Sequence, residues 1–219
     1  MYVDNSLQKL ILLDHSNYDS FYWMDNFGDP GWFHHQQIAQ MWGLTALRLA
    51  TSSVVEFNAT AYTEKLKGYV DSLNSSVLES AGCNFEEAKR RVDLKALEKA
   101  VNHLFQYAKR LDSKANELIQ NPKYQTCYLS FFCLSSTRVA EIDRVNQAYL
   151  RFERSFIGKG LPGRPIYRHV IYAPGTWEGY LGLTLPSIRE AVEGERWVEA
   201  KDQVQEITKL FMKASEGML

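Results

Sequence analysis

From Leu94 to Leu118 the apolar residues Leu94, Leu97, Val101, Leu104, Ala108, Leu111, Ala115 and Leu118 recur at alternating steps of three and four. Lys95, Glu98, Lys99, Asn102, Lys109, Arg110, Asp112, Lys114 and Glu117 fill the gaps. That spacing is one stripe of an amphipathic helix, and a stripe of seven turns has to be covered by other helices. Three more segments repeat the period. Tyr62, Leu66, Tyr69 or Val70, Leu73 and Val77 carry it up to Gly82. Ile142, Val145, Tyr149, Phe152 and Phe156 carry it downstream, and Ala200, Val204, Ile207, Phe211 and Ala214 carry it near the end of the chain. Four such stripes hide one another most economically in a four-helix bundle, so the spacing predicts an all-α domain over residues 57–219.

The connections of this bundle are unequal. Tyr124 to Thr137 contains no charged residue, which fits a buried crossover or an insertion. Gly158 to Pro186 is too rich in Gly and Pro for helix and offers one strand candidate, Tyr167 to Tyr172. A loop of this length in a bundle is usually functional. Ahead of the bundle, Gln36 to Thr51 reads as a helix that is apolar over a wide arc, as in a buried element, and Gly28, Pro30 and Gly31 force turns before it. This first segment has no partner elements of its own and reads as the tail of another domain.

The charge balance, 25 basic against 26 acidic residues for a net −1, offers no basic excess for nucleic acid or an anionic membrane. No apolar run reaches the length of a membrane span, and Cys83, Cys127 and Cys133 form neither a CxxC pair nor an even disulfide framework. The Glu-x-x-His pairs of carboxylate di-iron bundles, G-x-S-x-G and the nucleotide-binding glycine motifs are all absent. His34 and His35 are candidate metal ligands at a helix start, with Asp29, His15, Asp14 and Asp19 nearby, but no HExxH-type spacing joins them. Arg164, Arg168, Tyr167, Tyr172, Trp177 and Tyr180 in the long loop either recognise a carboxylate or pin the loop by packing and salt bridges. Asn58-Ala-Thr60 and Asn74-Ser-Ser76 are N-glycosylation sequons, which matter only in a secretory compartment.

His15-Ser-Asn-Tyr-Asp-Ser20, Phe27-Gly-Asp-Pro30, His35 with Ala39-Gln40, Arg151-Phe-Glu-Arg-Ser-Phe156 and above all Gly160-Leu-Pro-Gly-Arg-Pro-Ile-Tyr-Arg-His-Val-Ile-Tyr-Ala-Pro174 resemble the C-terminal part of the glutamate carboxypeptidase II and transferrin receptor family. The likeness runs over nearly the whole chain and is weakest at residues 123–137. It implies that residues 1–56 end a zinc peptidase-like domain and that 57–219 form a helical homodimerisation domain. It implies a zinc-ligand role for His35, with zinc the cofactor of the full-length family and none expected in this chain alone. It also implies that His34 takes the place of a substrate-contacting tyrosine, and that Gly179-Tyr180 takes the place of a Lys-Tyr pair that holds a substrate carboxylate. Tyr180 keeps a hydroxyl for substrate binding, but the cation is gone, so glutamate preference does not carry over. The family's other zinc ligands and general base have no counterpart before Asp14, which implies a truncated product without peptidase activity of its own. The expected partners are a second copy, paired through the outer faces of the helices at 62–81 and 195–214, and an upstream peptidase domain. The alternative is a metallopeptidase part in which His35 and Tyr180 complete a site built upstream, and a receptor-like pseudoenzyme is a third possibility. Members of the family are usually membrane-anchored with an extracytosolic body; this chain carries no anchor, and its compartment stays open. The helix at 36–51 is then expected to show an apolar scar.

Overall fold

The computed structural model describes residues 16–82, 84–120, 136–176 and 182–216. It divides into two compact units, Met1–Ser52 and Ser53–Leu219. In the first unit a helical turn, α1 (Phe21–Trp23), is capped by Ser20, whose hydroxyl accepts from the Trp23 N–H, and runs on as a π-helical turn over Met24–Gly28. Gly31 and Trp32 then take left-handed backbone angles, φ of 84° and 60°, and set the start of α2 (Phe33–Thr51). A left-handed tryptophan costs on the order of 1 kcal/mol and persists only where its surroundings hold it. No residue of α2 is buried. Met41, Trp42, Leu44 and Leu47 are 60–72% exposed, so the wide apolar arc that reads as a buried helix is open, and the expected apolar scar is present.

The second unit contains the core. Its helices are α3 (Ala59–Ser80), α4 (Phe85–Arg91), α5 (Lys95–Gln120), α6 (Ser136–Arg154), α7 (Pro186–Glu193) and α8 (Trp197–Glu216). One antiparallel pair, β1 (Tyr172–Pro174) and β2 (Gly182–Thr184), interrupts them, with Ala173 opposite Leu183. The all-α expectation holds. Helix α5 is the axis, packing against α3 and α8 and, over a shorter stretch, α6. Its seam from Leu97 through Val101, Leu104, Ala108, Leu111 and Ala115 to Leu118 is buried throughout. Each such leucine adds about 1.5–3 kcal/mol of transfer free energy. Phe152, Phe156 and Phe211 lie fully inside, with Phe156 edge-on to Phe152 at 5.2 Å and to Phe211 at 5.6 Å between ring centroids.

Polar side chains fix how the helices meet. The Asp112 carboxylate on α5 accepts from the Ala59 and Thr60 N–H groups at the start of α3 (3.2 and 2.7 Å) and from the Tyr149 hydroxyl on α6 (2.8 Å). Asn146 on α6 accepts from Val55 N–H and donates to the Ser53 carbonyl, which ties down the segment ahead of α3. Arg189 on α7 reaches Ser72 and Ser76 on α3.

Three local features differ from the sequence reading. The connection after Gly82 contains α4, capped by Asn84 with Glu86 and Glu87 in its first turn and Lys89, Arg90 and Arg91 in its last. The strand begins at Tyr172 rather than ending there, because Val170 N–H bonds back to the Phe156 carbonyl and the ladder forms only beyond it. Pro186 then opens the extra helix α7, whose Ile188, Ala191 and Val192 are buried. Cys83, Cys127, Cys133 and the uncharged stretch to residue 135 lie outside the described residues.

Candidate functional site

The chemistry of the first unit converges on His35. Asp29, only 5% exposed, sits before the Pro30-Gly31 turn, and the turn brings its carboxylate back over the start of α2. Oδ2 accepts from the His35 backbone N–H at 3.0 Å and lies 2.6 Å from His35 Nδ1; Oδ1 accepts from the His34 N–H at 3.3 Å. Burial works against the charged carboxyl, but the hydrogen bonds from the His35 ring and from the two backbone N–H groups outweigh it and hold Asp29 at about 2. An ionised Asp29 accepts a hydrogen bond from Nδ1–H of His35, which leaves the Nε2 lone pair of the neutral ring free. A carboxylate behind a histidine in this way fixes tautomer and ring orientation and raises ligand basicity, as behind a metal-ligating imidazole. The Trp32 ring meets His35 edge-on at 4.8 Å. That indole is held in turn by its own Nε1–H bond to Asp25 (2.7 Å) and by stacking on Phe21 (5.2 Å).

Of the sequence candidates, then, His35 carries an organised environment, and Asp29 is the group that orients it. His34 is exposed and contributes its backbone N–H to Asp29. Among the described residues no group of three or more His, Cys, Asp and Glu side chains is gathered as a metal-binding cluster. One well-oriented imidazole fits one ligand position of a zinc ion, not a complete site.

The long loop of the second unit is pinned by its own polar residues. Arg164 grips Glu190 through Nη2 (2.5 and 2.7 Å to the two oxygens) and donates from Nη1 to the Pro174 carbonyl at 2.8 Å. Glu190 Oε1 also accepts from the Thr176 N–H and hydroxyl. Arg164 is thus used as a staple and is not held open for a ligand carboxylate, and Arg168 donates to the Gly158 carbonyl. Gly160, at φ of 111°, passes so close to Pro165 that a Cβ would lie 2.5 Å from its carbonyl oxygen, which only glycine allows. Tyr180 and Trp177 lie outside the described residues.

At the foot of this loop four polar aromatics and a carboxylate meet. His169 Nδ1 accepts from the Tyr172 N–H (3.2 Å), so its Nε2 donates to Glu153 Oε1 (2.9 Å), and its ring stacks on Tyr172. The Tyr172 hydroxyl meets that of Tyr69 at 3.1 Å. The hydrogen bond from His169 lowers the Glu153 carboxyl below its ordinary 4.5 despite partial burial. Burial, reinforced by the negative charge of Glu153, keeps Tyr62 and Tyr172 protonated well above the ordinary phenol range. The cluster anchors Tyr172, the first residue of β1, against α3 and α6; nothing in its arrangement resembles a nucleophile with its base.

Residues 92–219 match the model of the transferrin receptor-like dimerisation domain. The chain belongs to that family. This transferrin receptor-like chain is also similar to several larger proteins. It is 28% identical over 192 residues to a probable glutamate carboxypeptidase of Arthroderma benhamiae, covering 87% of this chain and 24% of that protein. It is 27% identical over 221 residues to the probable glutamate carboxypeptidase LAMP1 of Arabidopsis thaliana, covering 97% of this chain and 28% of the relative. Over 175 residues it is 26% identical to an inactive zinc metalloprotease of Schizosaccharomyces pombe, covering 80% of this chain and 20% of that one. The transferrin receptor-like chain thus spans about a quarter of the length of the curated relatives it matches. Among the described residues no helix is long and apolar enough to cross a membrane.

Proposed function

We propose that this chain is the homodimerisation module of a glutamate carboxypeptidase-like protein, with residues 1–56 ending a zinc peptidase-like domain. The observation that carries the reading is the match of residues 92–219 to a dimerisation domain, on a helical core that buries its seams without help. A twofold pair needs a patch that complements itself. Exposed apolar side chains available for it in the second unit include Val198 on α8 (76% exposed), Leu150 and Val139 on α6 and Ile119 on α5. Of these, Val198 lies on the face proposed for the contact, which is made by the outer faces of α3 and α8.

Light scattering behind size-exclusion chromatography, over a hundredfold dilution, tests this reading. The expected result is a constant mass of twice 25.2 kDa. A monomer at every concentration overturns it. Because α2 exposes its own apolar residues, the same series is run on Met41→Glu/Leu44→Glu, which removes association through α2 and leaves the proposed dimer intact.

A second reading is favoured by the 2.6 Å contact between Asp29 and His35: in a longer polypeptide His35 supplies one zinc ligand through Nε2. The metal would bring Lewis acidity and a water of lowered pKa, while this chain's part is to hold the imidazole in place. In this chain, ¹⁵N spectra of His35 should report the Nδ1–H tautomer, and Asp29→Asn should scramble it; an Nε2–H tautomer in the parent chain would sink the assignment. In a full-length enzyme His35→Ala should abolish peptide cleavage and spare the dimer.

A further inference from the structure

The two sequons of the chain stand in opposite environments. Asn74 lies within α3, half-buried, with its Nδ2 donating to Glu98 Oε1 on α5 at 2.6 Å. It lines a cleft of about 370 Å³ with Val77, Leu78, Val92 and Leu94. The hydroxyl of its Ser76 is occupied as well, donating to the Ser72 carbonyl at 3.1 Å and accepting from Arg189 at 3.0 Å. A sugar on that nitrogen would have to leave between α3 and α5.

Asn58 is the N-cap of α3 and is exposed. Its Oδ1 accepts from the Ala61 N–H at 2.8 Å, which turns Nδ2 away from the helix. Neither Nδ2 nor the Thr60 hydroxyl makes a hydrogen bond to another described residue. The cap uses only the oxygen of the side-chain amide. N-glycosylation uses only the nitrogen.

We propose that Asn58, and not Asn74, is the N-glycan acceptor of this chain when it passes through a secretory compartment. In the transfer, Nδ2 gives up one hydrogen as a proton and bonds to C1 of the first N-acetylglucosamine of a lipid pyrophosphate-linked oligosaccharide. The C1–O bond to the pyrophosphate breaks, and the lipid pyrophosphate leaves with the bonding pair. Oδ1 is untouched, so the modified asparagine still caps α3, and the glycan stands off the end of the helix. A glycan there keeps the Asn58 end of α3 in solvent, and any pairing surface of the second unit has to lie clear of it.

The full chain, carried into a eukaryotic secretory pathway behind a removable signal peptide and bearing a reference sequon on a C-terminal tag, tests the assignment. Two shifts sensitive to an amide-cleaving glycosidase are expected, one from the tag and one from Asn58, with the released site read by mass spectrometry as aspartate at position 58. Asn58→Asp should remove one shift while keeping the cap, since Asp caps as well as Asn. Thr60→Ala should remove the same shift, and Asn74→Gln neither. A modified tag with unmodified Asn58, or a shift lost in Asn74→Gln, overturns the proposal.

Discussion

Helices α2 and α5 are both rich in apolar residues, yet α5 buries nine side chains and α2 buries none. In α5 the apolar residues fall on one seam that α3, α6 and α8 cover. In α2 the residues Ile38, Met41, Trp42, Leu44, Leu47 and Leu49 spread round the cylinder and all remain 49–72% exposed. Apolar content sets how much surface a helix would gain from burial, whereas the packing partners decide whether it gains it.

The largest effects should separate these two helices. Leu104→Ala, at a position with 0% exposure, should cost about 3–5 kcal/mol in chemical denaturation, enough to unfold much of the second unit. Leu47→Ala, 60% exposed, should cost less than about 0.5 kcal/mol. Comparable losses at both sites would break the contrast and show that α2 is covered in solution.

Next comes Asp112. Replacing it with Ala removes the acceptor for the first turn of α3 and leaves the Tyr149 hydroxyl without its partner. A loss of about 2–3 kcal/mol is expected by the same measurement. Loss of a lone surface carboxylate would fall within about 0.5 kcal/mol, and that outcome would show the three-way link to be dispensable.

pH sharpens the comparison from another side. Burial, opposed by the nearby Arg110, pushes the Tyr107 phenol up to about 12; burial and the Asp112 carboxylate push Tyr149 higher still. Both groups are raised, so above the ordinary phenol value of 10.0 the unfolded chain sheds protons that the folded chain keeps. Stability is therefore retained below that pH and declines above it, by up to about 1.4 kcal/mol per pH unit for each such tyrosine. Phenolate absorbance from Tyr107 and Tyr149 should rise together with loss of helix in the second unit. Ionisation of Tyr107 and Tyr149 with the helices intact would contradict their burial.

The smallest effect is expected at Tyr107 itself, whose buried hydroxyl has no partner among the described residues. Tyr107→Phe should leave stability unchanged or raise it by up to about 1 kcal/mol. A clear loss would reveal a partner for that hydroxyl.

The long helices were legible because a period of three and four over five or more turns leaves few alternatives. Helix α7 was not, since Ile188, Ala191 and Val192 make too short a stripe to stand out after a Gly- and Pro-rich loop. Helix α4 left end signals that a search for stripes passes over: an Asn cap, two acids, then three bases. At the site, His35 stood out by residue type and by family resemblance. The role of Asp29 did not, because its pairing with His35 depends on the Gly31 and Trp32 backbone turning through positive φ, and nothing in a Trp residue announces that angle. The Asp29 carboxylate faces Nδ1 and two backbone N–H groups.

The Asp112 carboxylate also bears on the order in which the chain assembles. It joins α5 to the start of α3, 52 and 53 residues earlier, and to Tyr149, 37 residues later. The connections from α3 to α5 (residues 81–94) and from α5 to α6 (residues 121–135) are of similar length, so loop-closure entropy does not order the two contacts and kinetics has to. If α6 docks after the α3–α5 pair has formed, Tyr149→Phe acts mainly on the unfolding rate and Asp112→Ala on both limbs of the folding kinetics. One side chain then reports two stages of folding.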